Sequence, residues 1–108
     1  MDERESVVSQ PPQTVLRAGD LRVLLERLVD AFDAHRDEID ALNVFPVPDG
    51  DTGTNLLHTA RTALDEIRLR RPADEMLPAT LVRGALLGAR GNSGVILSQV
   101  LRGFADTV

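Results

Sequence analysis

The apolar positions of the chain fall into four runs of helical spacing and into no alternating run. From Asp20 onward, Leu21, Leu24, Leu25, Leu28, Phe32, Ile39 and Leu42 lie on one face of a helix with 3.6 residues per turn. Asp20 is the expected N-cap, and Pro46 and Pro48 end the helix near Asn43. The opposite face, with Arg22, Glu26, Arg27, Asp30, Asp33, Arg36 and Asp37, reads as solvated surface with local ion pairs. His35 has no second histidine at ligand spacing and belongs with that surface or the core edge rather than with a metal.

A second helix is expected to begin between Thr52 and Asn55, to turn Leu56, Ala60, Ala63, Leu64 and Ile67 inward, and to stop at Pro72. Arg68, Arg70 and Arg71 near its end complement the helix dipole. A third, opened by Asp74 and Glu75, carries Leu77, Leu81, Val82, Ala85, Leu86 and Ala89, with Pro78 tolerated in the first turn. Gly84 and Gly88 each cost about 1 kcal/mol in a helix interior, so the pair predicts close packing against another helix. Arg90-Gly91-Asn92-Ser93-Gly94 breaks the pattern, and a fourth helix follows through Val95, Leu97, Val100, Leu101 and Phe104. The fold class is all-α, with about four helices. Residues 1–13, which include Ser9-Gln10-Pro11-Pro12 and lack periodicity, read as a disordered lead-in, and 14–108 as the helical domain.

Composition narrows the chemistry. All 12 basic residues are arginine and there is no cysteine, which removes disulfide frameworks, cysteine-ligated zinc, the P-loop lysine and Schiff-base catalysis. A net charge of -5, with three Phe and no Trp or Tyr, argues against a nucleic-acid partner. No apolar stretch approaches the ~20 residues of a membrane span, so membrane insertion is not expected and a cytoplasmic location is.

Two places can carry chemistry. Asp49 and Asp51, separated by one glycine in a loop stiffened by two prolines, offer hard oxygen donors suited to Mg²⁺. The alternative is an Asp-Gly turn with Asp51 or Thr52 bonding the free amides of the following helix. Gly53-Thr54-Asn55 comes next, and a helix N-terminus attracts anions. Carboxylates beside such a terminus make sense if a cation sits between them and a phosphate. The second place, Gly91-Asn92-Ser93-Gly94, is another glycine-flanked helix start that could hold a phosphate edge or simply cap its helix.

The stretch Leu42-Asn43-Val44-Phe45-Pro46-Val47-Pro48-Asp49-Gly50-Asp51-Thr52-Gly53-Thr54-Asn55, together with Gly88-Ala89-Arg90-Gly91-Asn92-Ser93-Gly94-Val95-Ile96-Leu97-Ser98-Gln99, resembles the nucleotide-binding L domain of dihydroxyacetone kinases. The Asn-Val-Phe-Pro-Val-Pro lead-in is most similar to the fatty acid kinase A branch. The resemblance implies an antiparallel helical barrel that holds ATP through Mg²⁺ at one end. Asp49 and Asp51 match metal-binding carboxylates, and Asn43 is the candidate for a third ligand position that is an aspartate elsewhere in the family. Thr52, Gly53, Thr54, Asn55 and Leu56 match the segment that meets phosphate and adenine. Asn92, Ser93 and Gly94 match a second phosphate-contacting loop.

It also implies that the phosphoryl acceptor, a short ketose or a protein-bound fatty acid, is presented by a separate dihydroxyacetone-binding or fatty-acid-binding subunit or domain. The family's barrel is longer than this chain, so the helices here are expected to expose an apolar face, as a fragment would, or to pair, for instance as a homodimer through that face. The alternative function is a catalytically inactive helical module acting in nucleotide sensing or protein interaction.

Overall fold

A computed structural model describes residues 16–42 and 51–108, and these contain helices and turns with no strand. Helix α1 spans Ala18–Leu42, α2 spans Thr52–Arg70, α3 spans Leu77–Gly88 after a 3-10 turn over Asp74–Met76, and α4 spans Gly91–Asp106. The all-α expectation holds with the four helices foreseen. The lead-in over 1–13 and the loop carrying Asn43 and Asp49 lie outside the described residues.

Helix α2 is the centre of the assembly. It runs antiparallel to α1, as paired positions show: Thr54 meets Asp40, Arg61 meets Asp33 and Arg68 meets Glu26. It is also antiparallel to α3, which approaches closely through its two glycines. A Cβ on Gly84 would stand 2.7 Å from the Ala63 Cα, and one on Gly88 would stand 2.5 Å from the Thr62 Cβ. The cost of two helical glycines is thus offset by tight packing, as their spacing predicted.

The core gathers Leu21 and Leu25 of α1, Ala60, Ala63, Leu64 and Ile67 of α2, Leu77, Leu81 and Ala85 of α3, and Leu97, Leu101 and Ala105 of α4. Each large apolar side chain taken fully from water contributes about 1.5–3 kcal/mol. Only the N-terminal half of the α1 stripe joins this cluster, with Leu28 and Phe32 packed on its edge. Leu42, the last residue of α1, is exposed. Of the arginines near the end of α2, Arg68 pairs with Glu26 and Arg70 Nε reaches Glu66 Oε1 at 2.7 Å. Exposed His35 likewise meets Glu38 Oε1 through Nδ1 at 2.6 Å.

Three local expectations change. Asp20 is not the N-cap, because α1 already begins at Ala18. From within the first turn its Oδ2 accepts the Arg17 N–H at 3.0 Å, which is the return half of a capping box. Residues 91–94 are the first turn of α4 rather than a break before it, since the Gly94 N–H reaches the Arg90 carbonyl at 3.1 Å. Finally, Leu86, Val95, Val100 and Phe104 do not enter the core. They are exposed together with Leu87 and Ile96, because α3 and α4 are apolar on two sides and α2 covers one. A groove of about 650 Å³ lies between Val82, Leu86 and Ala105, and α4 lines it with Arg102, Ala105 and Asp106 rather than with its exposed apolar residues.

Candidate functional site

Two helix starts meet at one end of the molecule. The first turn of α4 lies against the first turns of α2, although the two segments are separated by about one third of the chain. Gly91 turns into α4 at φ 67°, and a Cβ there would stand 2.5 Å from the Asn55 Nδ2. Ser93 Oγ points to the Thr52 carbonyl at 3.5 Å, the outer limit of a hydrogen bond. The structure therefore sets Thr52 and Asn55 of the first start against Ser93 and Gly91 of the second, while Gly53 and Thr54 turn toward α1.

Buried Thr59 fixes the junction from beneath. Its hydroxyl hydrogen is shared between the Asn55 carbonyl at 2.9 Å in its own helix and the Gly88 carbonyl at 3.0 Å at the end of α3. Gly94 packs on the same oxygen, at 2.6 Å from where its Cβ would be. Sequence reading passed over Thr59, since a threonine inside a helix carries no pattern that marks it as a tie to another element.

The two helix starts differ in what their amides meet. Asp51 occupies the N-cap position of α2, but its side chain makes no capping bond to the helix, and neither does Thr52. The cap comes instead from α1. Asp40 Oδ1 accepts the Thr54 N–H at 3.1 Å and Oδ2 accepts the Thr54 hydroxyl at 2.8 Å, with the Gly53 N–H close enough to favour the charged carboxylate. The expectation that Asp51 or Thr52 would satisfy these amides is thereby corrected: the end of α1 is close enough for a longer-range carboxylate to do it. Closeness itself depends on Gly53, where a Cβ would lie 2.5 Å from the Arg36 carbonyl oxygen. Burial alone would raise the Asp40 pKa, but the bonds from Thr54 and Gly53, with the Arg36 guanidinium nearby, hold it below the ordinary 3.8.

At α4, the Gly94 N–H closes the first helical bond, so the N–H groups of Gly91, Asn92 and Ser93 have no partner within their helix. Beside them lies the Asn55 side chain, only 5% exposed, with no hydrogen-bond partner for its amide among the described residues. A buried amide without a partner is costly, about 1–3 kcal/mol, and an orphan of this kind next to a helix N-terminus fits an oxyanion. Leu56 is half-buried and packs on the core. A cleft of about 280 Å³ opens beside Thr54, with Arg36, His58, Arg61 and Arg90 among its walls, and Asp65 as the one carboxylate that the described residues give it. The larger groove between α3 and α4 touches none of the expected site residues.

Asp51 is the one expected metal ligand within the described residues, and these assemble no group of three or more His, Asp or Glu able to hold a metal. No described helix is long and apolar enough to cross a membrane.

Against known proteins, the family model described as the DAK2 domain matches residues 46–108. An uncharacterised protein of Staphylococcus saprophyticus is 50% identical over 76 residues, covering 68% of this chain and 14% of the relative. Uncharacterised proteins of Staphylococcus aureus, including that of strain USA300, are 51% identical over 74 residues, covering 67% of this chain and 13% of theirs. The chain thus spans about one seventh of the length of the curated relatives it matches.

Proposed function

The chain belongs to the DAK2 domain family, the L-domain family of dihydroxyacetone kinases, and from that premise we propose that it forms the ATP- and Mg²⁺-holding part of a phosphotransferase. The acceptor is a short ketose, as in glycerone kinases, or a fatty acid, and a partner subunit or domain presents it. The fatty acid alternative rests on the Asn43-Val44-Phe45-Pro46-Val47-Pro48 lead-in.

The observation that carries this reading is the orphaned Asn55 amide, buried beside the free first-turn amides of α4. Donors collected at one point, with no acceptor among the described residues, suit the oxygens of a phosphate. Asp51, at the entrance to α2, and Asp49, two residues earlier in the chain, would hold Mg²⁺ together with Asn43. The metal, when bound, would neutralise charge on the phosphate oxygens, which is most of what phosphoryl transfer asks of a protein. This chain's own part is to orient the phosphates: Gly91, Asn92 and Ser93 donate amides, Asn55 donates from below, and Thr59 keeps the two helix starts in register.

Calorimetric titration of the purified chain with a non-hydrolysable ATP analogue, with and without Mg²⁺, tests the proposal. Mg²⁺-dependent binding that disappears in Asp49→Ala and Asp51→Ala is the expected result. A folded chain that binds no analogue would overturn it and leave the other reading, a helical interaction module presenting exposed apolar side chains such as Leu86, Leu87, Ile96 and Phe104.

A further inference from the structure

The N-terminus of α2 already holds an anion of the protein's own. Asp40 comes from the preceding helix, 14 residues away from Thr54, and accepts both the Thr54 hydroxyl and the Thr54 amide on one carboxylate, with the Gly53 amide beside it. Those amides are the ones that an external oxyanion at this terminus would need. A second anion at the same place would meet the full charge of the first, and Asp51 stands next to both. The amides of Gly91, Asn92 and Ser93, by contrast, have no carboxylate bonded to them among the described residues.

We propose that Asp40 is a positioning residue of the nucleotide seat, which satisfies the α2 terminus from within, fixes Asp51 to Asn55 against α1, and leaves α4 as the terminus that receives a phosphate. The inference rests on the nucleotide reading of this corner, and adds to it a residue outside the recognised motif. Asp40 touches no ligand in this role. It acts through Thr54, whose backbone begins the turn that carries Asn55 under Gly91.

The test uses the full chain, Mg²⁺ and the non-hydrolysable ATP analogue, with Asp40→Ala, Thr54→Val and Thr54→Ser compared at a temperature where thermal scans show all of them folded. Asp40→Ala and Thr54→Val are expected to weaken analogue binding by roughly tenfold, as loss of an outer supporting contact does. The double variant should fall no further than either single one, and Thr54→Ser, which keeps the hydroxyl, should restore wild-type affinity. In amide NMR spectra, the Mg²⁺–analogue complex should shift Gly91, Asn92 and Ser93 more than Gly53 and Thr54. A role in stability alone would lower the melting temperature without moving the affinity, and that outcome overturns the proposal. So does tighter binding by Asp40→Ala, which would mean that the carboxylate competes for the phosphate. Failure of the wild-type chain to bind the analogue overturns the nucleotide reading and this inference with it, whereas binding indifferent to Asp40→Ala overturns this inference alone.

Discussion

Asn55 and Gly91 are in direct contact across two helix starts, with the Asn55 Nδ2 at 2.5 Å from the place a Cβ on residue 91 would occupy. Residue 91 also holds a left-handed backbone, φ 67°, which costs a residue other than glycine about 1–2 kcal/mol before any collision is counted. Both effects act in one direction. Gly91→Ala should therefore lower the unfolding free energy by about 2 kcal/mol or more, read by urea denaturation. A neutral result would show that the α3–α4 turn relaxes away from Asn55.

Gly103 makes the opposite case. It lies inside α4, and nothing stands within 4 Å of a Cβ placed on it. Gly103→Ala should stabilise the chain by about 0.5–1 kcal/mol, the helix-propensity difference. Gly88→Ala, which drives a methyl into Thr62, should destabilise it. Thermal unfolding of the two variants side by side separates packing from propensity, and similar shifts in both would contradict the close approach of α3 to α2.

Periodicity made the helices legible, because a 3.6-residue spacing of leucines leaves little else for Leu21 to Leu28 or Leu56 to Ile67 to do. It could not say which face of a doubly apolar helix is covered. In α4 the buried set is Gly94, Leu97, Ser98, Leu101 and Ala105, so small residues were chosen over Val95, Val100 and Phe104, since closeness to α2 and α3 rewards a low profile. The motif residues at the two glycine-flanked starts could be named from the sequence. Their supports could not: Asp40 and Thr59 act across 14 and 29 residues, and nothing local distinguishes Asp40 from the other acids on the charged side of α1.

Asp40 gives the fold a defined acid sensitivity. Its carboxyl titrates below 3.8 in the folded chain, against a burial effect of opposite sign, because Thr54, Gly53 and Arg36 favour the charged form. A depressed carboxyl contributes stability that is complete above the unfolded value and is lost as pH falls through the folded one. The stability gap between wild type and Asp40→Asn should accordingly be constant from pH 7 to about 5 and close below about 4. Urea unfolding of both proteins across that range checks this, and a gap that persists undiminished at the acid end would contradict the ionised contact.

Thr59→Val keeps the volume of a fully buried side chain and removes its hydroxyl. The Gly88 carbonyl, at the end of α3, loses the donor that reaches it from α2. The Asn55 carbonyl loses only a side-chain addition to a backbone already within its helix. Most of the cost therefore belongs to Gly88, about 1–3 kcal/mol for a buried acceptor left without its partner. Thr59→Ser should recover most of that loss, since it keeps the donor. If Thr59→Val proves neutral while Thr59→Ser is destabilised, the methyl group rather than the hydroxyl holds the junction.

Helix α3 permits a comparison of its two apolar sides. Leu81 is fully buried in the four-helix core, and Leu81→Ala should cost about 2–5 kcal/mol through lost transfer energy and the cavity left behind. Leu87, on the same helix, is 61% exposed, and with little area to lose Leu87→Ala should change stability by less than about 0.5 kcal/mol. The difference depends on what covers the outer side of α3. If Leu87→Ala proves nearly as costly as Leu81→Ala, and the cost grows with protein concentration, the exposed face is buried between copies in solution. If the cost is small at every concentration, the apolar face stands open in the isolated chain, and Leu86, Leu87, Ile96 and Phe104 are available to a further helical layer.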